Sequence, residues 1–183
     1  MNSTNTHFSF LQPTHLQNEL VKLVPIGPED FEPLYQVASD PLIWEQHPIQ
    51  DRYKREVFPA FFEGAIQSHS AFLVLDTVSG DTIGSTRFYD HFPEDSRIAI
   101  GYTFLARAYW GGQYNSSLKA LMLNYAFDYV DTVLFHVGAQ NIRSQKAVLK
   151  LGAKKVEEME MEFSGKKHWY HEYALYKADW QAI

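Results

Sequence analysis

Between Arg97 and Val130 the apolar period of the chain changes once, from two to about 3.6, and it changes across a pair of glycines. From Arg97 to Phe104 the residues alternate as in a strand, with Ile98, Ile100, Tyr102 and Phe104 on one face and Ala99, Gly101 and Thr103 on the other. After Gly111-Gly112, the residues Leu118, Leu121, Met122, Tyr125 and Tyr129 form one helical stripe, widened by Leu123, Phe127 and Val130. A deeply packed helix of about five turns is therefore expected to open at the glycines. Gly101, in mid-strand, costs stability and marks a bulge or a close approach by other atoms.

The other elements follow the same reading. Leu20 to Ile26 alternates as a strand. Asp30 suits an N-cap and Pro33 a first helical turn, followed by an apolar face of Phe31, Leu34, Tyr35 and Ala38 that Asp40-Pro41 ends. Phe58, Phe61, Phe62 and Ala65 mark a second helix. Ala71 to Leu75 and Thr82 to Tyr89 read as strands about a Ser79-Gly80-Asp81 turn, with a loop from His91 to Asp95. Val133 to Val137 is a short strand. Asn141 caps a helix whose Ala147, Val148 and Leu151 face inward, and Gly152 suits the left-handed position beyond its end. Lys155 to Phe163 and Lys167 to Tyr176 flank a Ser164-Gly165 turn. The order β-α-α-β-β-β-α-β-α-β-β is an α/β layout, and its strand–helix–strand–helix unit is the usual home of a phosphate-bearing ligand. At 183 residues the chain makes one domain, read as residues 19–183 behind a polar N-terminal arm of residues 1–18.

Composition removes several classes. There is no cysteine, which excludes disulfides, iron–sulfur clusters, thiolate zinc sites and a thiol nucleophile. The 16 basic residues against 22 acidic ones give a net charge of −6, which argues against a protein whose main business is gripping nucleic acid. No apolar run is long enough to span a membrane, and the start lacks the layout of a secretory signal, so a cytoplasmic protein is expected. His168 and His171 lie three apart in a strand and point to opposite faces, so no metal site is expected.

Two motifs carry chemistry. Gly111-Gly112-Gln113-Tyr114-Asn115-Ser116-Ser117 stands at a strand-to-helix junction, where N–H groups without intrahelical partners meet the positive end of the helix dipole. Glycines let phosphates approach these groups and the serines add hydroxyls, although a tight turn and a capped helix need the same residues. The segment is neither a P-loop nor a dinucleotide fingerprint. Asn141, three residues before Ser144, is a good cap and is also placed to reach the same crevice. His136 lies in the strand beside that crevice, as either a core or a site residue. Trp44, Arg87, Tyr89 and Trp169 are candidates to line an acceptor side, with aromatic core as the alternative for each.

The runs IGYTFLARAYWGGQYNSSLKALMLNYAF and FHVGAQNIRSQKAVLKLGA, with GSTRFY before them and Trp180 near the end, resemble the GNAT acyltransferases, in the RimJ/RimL-type branch that acetylates amino groups. The resemblance spans roughly residues 19 to 180. It implies a single-domain, mixed and mostly antiparallel sheet with two splayed central strands, flanked by helices. It also implies acetyl-CoA as co-substrate. The pantetheine arm would lie along the backbone of Phe104, Leu105, Ala106 and Arg107. The pyrophosphate would sit on Gly111, Gly112, Gln113, Tyr114, Asn115 and Ser116, with Asn141 and Ser144 beside the thioester. The family's phosphate-loop signature falls on Trp110, Gln113 and Asn115, and its usual carboxylate and tyrosine positions are Ala99 and Val148 here. The expected reaction is direct attack of a primary amine, a protein N-terminus or a small molecule, on the thioester. Backbone N–H groups at Phe104 to Ala106 would hold the oxyanion, ordered water with His136 or another crevice residue would relay the proton, and Ser144 would assist the thiolate. The alternative is a CoA-binding sensor or pseudoenzyme without turnover. A homodimer is compatible with either.

Overall fold

A computed structural model describes residues 11–163 and 165–181. Eight strands form one sheet: β1 (Leu16–Gln17), β2 (Val21–Pro25), β3 (Ala71–Asp76), β4 (Thr82–Phe92), β5 (Arg97–Leu105), β6 (Thr132–Gly138), β7 (Lys154–Phe163) and β8 (Lys166–Tyr176). Their spatial order is β1-β2-β3-β4-β5-β6-β8-β7. Every neighbouring pair is antiparallel except β5 and β6, which run parallel. Around the sheet lie α1 (Phe31–Ala38), α2 (Pro41–Trp44), α3 (Phe58–Ser68), α4 (Tyr114–Ala126), α5 (Ile142–Lys150) and α6 (Lys177–Gln181). Of the residues read as an N-terminal arm, 1–10 lie outside those described, whereas Leu16 and Gln17 pair with Leu23 and Lys22.

Both faces of the sheet are covered, which is why β3 is a continuous apolar run. On one face Leu118, Met122 and Leu123 of α4 and Val148 of α5 pack on Val74, Phe88, Ile98 and Phe135. On the other, Leu34, Trp44, Phe58, Phe61 and Phe62 from α1 to α3 pack on Ala71, Leu73 and Phe104.

The expected shared face of Ile98, Ile100, Tyr102 and Phe104 is not what forms. Ile98 and Ile100 face α4, while Phe104 joins the core beneath α1–α3 and the Tyr102 ring stacks among Phe61 and Tyr89. A bulge reverses the side-chain parity: the β4–β5 register jumps between Arg87↔Gly101 and Ser85↔Phe104, and Tyr102 takes φ +51°. The mid-strand glycine does mark the place, because a Cβ on Gly101 would come within 2.8 Å of the Tyr89 ring.

Other expectations shift at their ends. Helix α4 begins three residues after Gly111 and has 13 residues rather than five turns, so Tyr129 lies beyond it, 57% exposed. Asp30 turns backwards to accept from the Gly27 N–H at 2.8 Å instead of capping α1. Asp40 does not simply stop α1; it accepts from the Leu42 N–H at 3.0 Å and caps α2. Strand β4 runs through His91 and Phe92, leaving only Pro93–Asp95 as the turn. Ser164 of the last expected turn lies outside the described residues.

Leu118 is fully buried where α4 meets the sheet. Leu118→Ala is expected to cost about 2–5 kcal/mol of stability, read as a lower denaturant midpoint with an unchanged slope.

Candidate active site

The parallel pairing of β5 with β6 lasts only from Arg97↔Thr132 to Ala99↔Leu134. Beyond it the two strands part, and the bulge at Tyr102 turns the remainder of β5 while keeping it on β4. The result is a fork, with α4 on one side of the sheet and α1–α3 on the other.

At the open end, Ala106 donates its N–H to the Ile83 carbonyl at 2.7 Å. Ala106 is therefore not a free oxyanion donor, contrary to the expectation for Phe104 to Ala106. N–H groups alternate in direction along a strand, so the Phe104 N–H also points to β4 and the Leu105 N–H points into the fork. The Leu105 carbonyl on that side accepts from the Trp110 indole N–H at 2.8 Å. Arg107 forms an ion pair with Asp40, and these two residues with Val37, Ile43, Thr82 and Ala106 line a cavity of about 500 Å³.

Next comes the glycine segment. Gly111 (φ +74°), Gly112 and Gln113 are exposed, and a Cβ on either glycine would meet nothing within 4 Å. The first intrahelical bond of α4 is Ser117 N–H to Gln113 O at 2.8 Å. The preceding N–H groups, of Tyr114, Asn115 and Ser116, therefore have no intrahelical acceptor and stand at the positive end of the helix. Two side chains expected on the ligand are turned elsewhere. The Ser116 hydroxyl donates to Gln113 O at 2.9 Å, and the Tyr114 phenol donates to Asp76 Oδ2 at 2.6 Å. That phenol, with the N–H groups of Ser79 and Val78, holds the Asp76 carboxyl below its ordinary range.

Lys119, one turn and a half into α4, lies inside the fork. Its Nζ donates to the Thr103 hydroxyl of β5 at 2.6 Å and lies 5.8 Å from the centre of the Phe135 ring on β6. Among the described residues no carboxylate pairs with it, and burial lowers its pKa to about 7.

The α1–α3 side holds the other polar groups. Tyr89 of β4, His136 of β6 and Glu172 of β8 form a chain, with Tyr89 Oη to His136 Nδ1 at 2.8 Å and His136 Nε2 to Glu172 Oε2 at 2.9 Å. Burial raises the Tyr89 pKa strongly, so it stays a phenol and donates. His136 then accepts at Nδ1 and donates from Nε2 to the carboxylate. Arg87 lies under the Tyr102 ring, with Arg52, Phe61 and Trp44 beside it. Trp44 is buried, with its indole N–H on the Ala38 carbonyl at 2.7 Å, so it acts as wall. Trp169 does not join this group: it is 59% exposed and, next to inward-facing Tyr170, points to the opposite face of β8.

Asn141 is buried and its side chain accepts from the Ser144 N–H at 3.1 Å, as a helix cap does. Ser144 is half-buried in the first turn of α5. Between them, Arg143 stacks on Trp110 at 3.9 Å, donates to the Ile43 carbonyl at 3.1 Å, and donates its backbone N–H to Gln46 Oε1. Val148, at the family's tyrosine position, is core. Among the described residues no group of three or more ligating side chains forms a metal site, and no helix is long and apolar enough to cross a membrane.

The sequence profile of the acetyltransferase (GNAT) domain matches residues 21–154. The chain belongs to the GNAT acetyltransferase family. It is thus an acyltransferase, on a fold that binds acetyl-CoA. No curated protein matches it by sequence. Solved structures do. A GCN5-related N-acetyltransferase from Brucella melitensis has a TM-score of 0.77 at 18% identity, over 93% of this chain and 84% of that one. A spermidine N-acetyltransferase from Vibrio cholerae, solved with CoA and spermine, has 0.66 at 15% over 90% and 99%. A structure from Vibrio cholerae assigned as a ribosomal-protein-serine acetyltransferase has 0.74 at 13% over 90% and 99%.

Sequence reading overlooked Lys119, Arg52, Tyr102 and Glu172. A lysine one residue after Leu118 on an otherwise apolar helix face was the available signal for the first. The folded pKa of Lys119 lies below the unfolded value, so between about 7 and about 10.5 the unfolded chain binds the extra proton and stability rises with pH. Thermal unfolding of the ligand-free protein is expected to show a rise in Tm from pH 7 to 9 that Lys119→Met removes, with a higher Tm for the variant at pH 7.

Proposed function

We propose that this protein transfers an acetyl group from acetyl-CoA to the amino group of an acceptor by direct attack on the thioester. The observation that carries the reading is the fork, with N–H groups that lack intrahelical acceptors at the start of α4 and the fork-facing N–H of Leu105 at the end of β5. The N–H groups of Tyr114 to Ser116, reached past Gly111 and Gly112, hold the pyrophosphate. The pantetheine arm lies along the fork-facing edge of β5, beside Leu105. The RimJ/RimL-type resemblance and the similarity to the spermidine N-acetyltransferase from Vibrio cholerae support an amino-group acceptor.

In the transfer a neutral amine bonds to the thioester carbon, the carbonyl oxygen takes the negative charge, and the C–S bond then breaks to release CoA thiolate. The Leu105 N–H donates to the oxyanion, and such a donor is typically worth about 3–4 kcal/mol. The amine's proton leaves through water to Tyr89, which passes its own to His136 as Glu172 stabilises the imidazolium. Ser144, beside buried Asn141, supplies a hydroxyl to the departing sulfur.

Because the space at Gly112 is open, Gly112→Val should fold normally and lose CoA affinity severely; unchanged affinity by calorimetry on the folded variant sinks the phosphate site. Asn141→Asp keeps a good cap. Its melting temperature should therefore hold while turnover falls, and equal turnover returns Asn141 to a purely structural role. For the proton, His136→Gln should cost less than the ~100-fold of a dedicated base, with the rate still following the acceptor's own titration. A larger loss with CoA binding intact makes His136 that base. Retention of CoA with no thiol release across an amine panel would instead mark a CoA-binding protein without turnover.

A further inference from the structure

The chain has six arginines, and four pair with carboxylates: Arg55 with Glu32, Arg97 with Asp95, Arg107 with Asp40 and Arg143 with Glu45. The two that do not, Arg52 and Arg87, are the two buried ones, at 9% and 7% exposure. They share one face of the sheet. Both guanidinium groups lie within 6.0 Å of the Phe61 ring centre, and the charge of Arg87 is felt at Arg52.

The Arg87 side chain makes no hydrogen bond within the described residues, and its Nε is buried without a partner. Its neighbours are the Tyr102 ring at 4.1 Å and the Phe61 ring. Arg52 meets His47 Nε2 at 3.2 Å, and the neutral Tyr102 and Tyr170 phenols lie near enough to act on it. Burial and the adjacent guanidinium lower the His47 pKa to about 3, so His47 supplies no charge. The nearby carboxylates are engaged: Glu172 holds His136 and Glu45 pairs with Arg143, while Asp51 acts on Arg52 only through its field. Two guanidiniums are thus withdrawn from water near one another, and among the described residues no carboxylate forms an ion pair with either. A buried charge is tolerated when something pairs with it, and a guanidinium fork matches the two oxygens of a carboxylate.

Access runs through Tyr102. It lies at the bulge, 36% exposed, and its ring covers Arg87. This is the α1–α3 side, across the sheet from α4, so the CoA phosphates at Gly111 are not the missing anion.

We propose that the acceptor amine carries an oxyanion, carboxylate or phosphonate, which Arg52 and Arg87 bind on the α1–α3 side of the fork. The assignment rests on the acetyl-transfer reading above and narrows its acceptor to small amino acids and their phosphonate analogues. A polyamine would bring further positive charge to the same place and is disfavoured.

The test uses the full chain with acetyl-CoA and a panel of L-α-amino acids, β-alanine, γ-aminobutyrate and aminoalkylphosphonates, each beside its neutral amide or ester, with spermidine as the cationic arm. Thiol release reports transfer, and calorimetry without acetyl-CoA reports binding. At least one anionic amine should exceed its neutral partner in kcat/KM by ~100-fold, carried mainly by KM. Arg87→Met should reduce that ratio to below ~10-fold while CoA affinity holds, and Arg87→Lys should restore part of it. Arg52→Met, read the same way, serves if Arg87→Met fails to fold. Equal use of acid and amide, a preference for spermidine, or a ratio unchanged in the variants overturns the proposal and leaves acetyl transfer standing. Acid-selective binding that depends on Arg87, without any thiol release, upholds the anion site and removes the transfer reading. Absence of binding or reaction with every anionic amine overturns the proposal as well.

Discussion

The loss of hydrogen bonding between β5 and β6 beyond Ala99 and Leu134 is the constraint from which the rest of this molecule follows. Two parallel strands that stayed paired would close the sheet and leave α4 to pack on an unbroken surface. Here β5 stays on β4 through the bulge at Tyr102, and the left-handed backbone there costs about 1–2 kcal/mol. That cost is met by the packing of Phe104 with Trp44 and Phe61, which becomes possible only once the parity of β5 has been reversed. The same reversal places Tyr102 and Arg87 on one side and Thr103 and Lys119 on the other. One extra residue in a strand thus separates the two walls of the site.

Much of this could be read from residue order. Apolar period located the principal strands and helices, and Gly101 marked the bulge. The sense of the bulge was not visible, because a tyrosine carries no signature of positive φ, and the strict alternation from Ile98 to Phe104 therefore led to one face instead of two. Trp169 was misplaced by a similar route. Aromatic character suggested a lining residue, whereas the register of β8 on β6, with Tyr170 opposite Gly138, decides which face each residue takes. Lys119 carried only a faint signal, since its burial is completed by Thr103, 16 residues before it, and by Phe135 of β6, which meet it only after folding. The pairing state of Arg52 and Arg87 was equally hidden, because an ion pair is a property of space and not of spacing.

The interior is unusual in its charge. Lys119, Arg52 and Arg87 are all withdrawn from water with no carboxylate alongside, in a chain whose net charge is negative. The acidic excess is spent on the surface, on pairs such as Lys154 with Asp179 and Lys167 with Glu160, where each contributes little. Electrostatic imbalance is concentrated around the fork. A fold tolerates such sites at the expense of its own stability, and natural sequences keep them where binding or chemistry needs a field.

Arg143 ties distant parts of this region into one mechanical unit. Through its stacking on Trp110, its bond to the Ile43 carbonyl and its backbone bond to Gln46, the first turn of α5 is clamped both to the segment leading into α4 and to the loop after α2. Trp110 is itself anchored to the Leu105 carbonyl. The two sides of the sheet are therefore joined through one side chain, and a shift of α2 is carried by Arg143 and Trp110 to the end of β5.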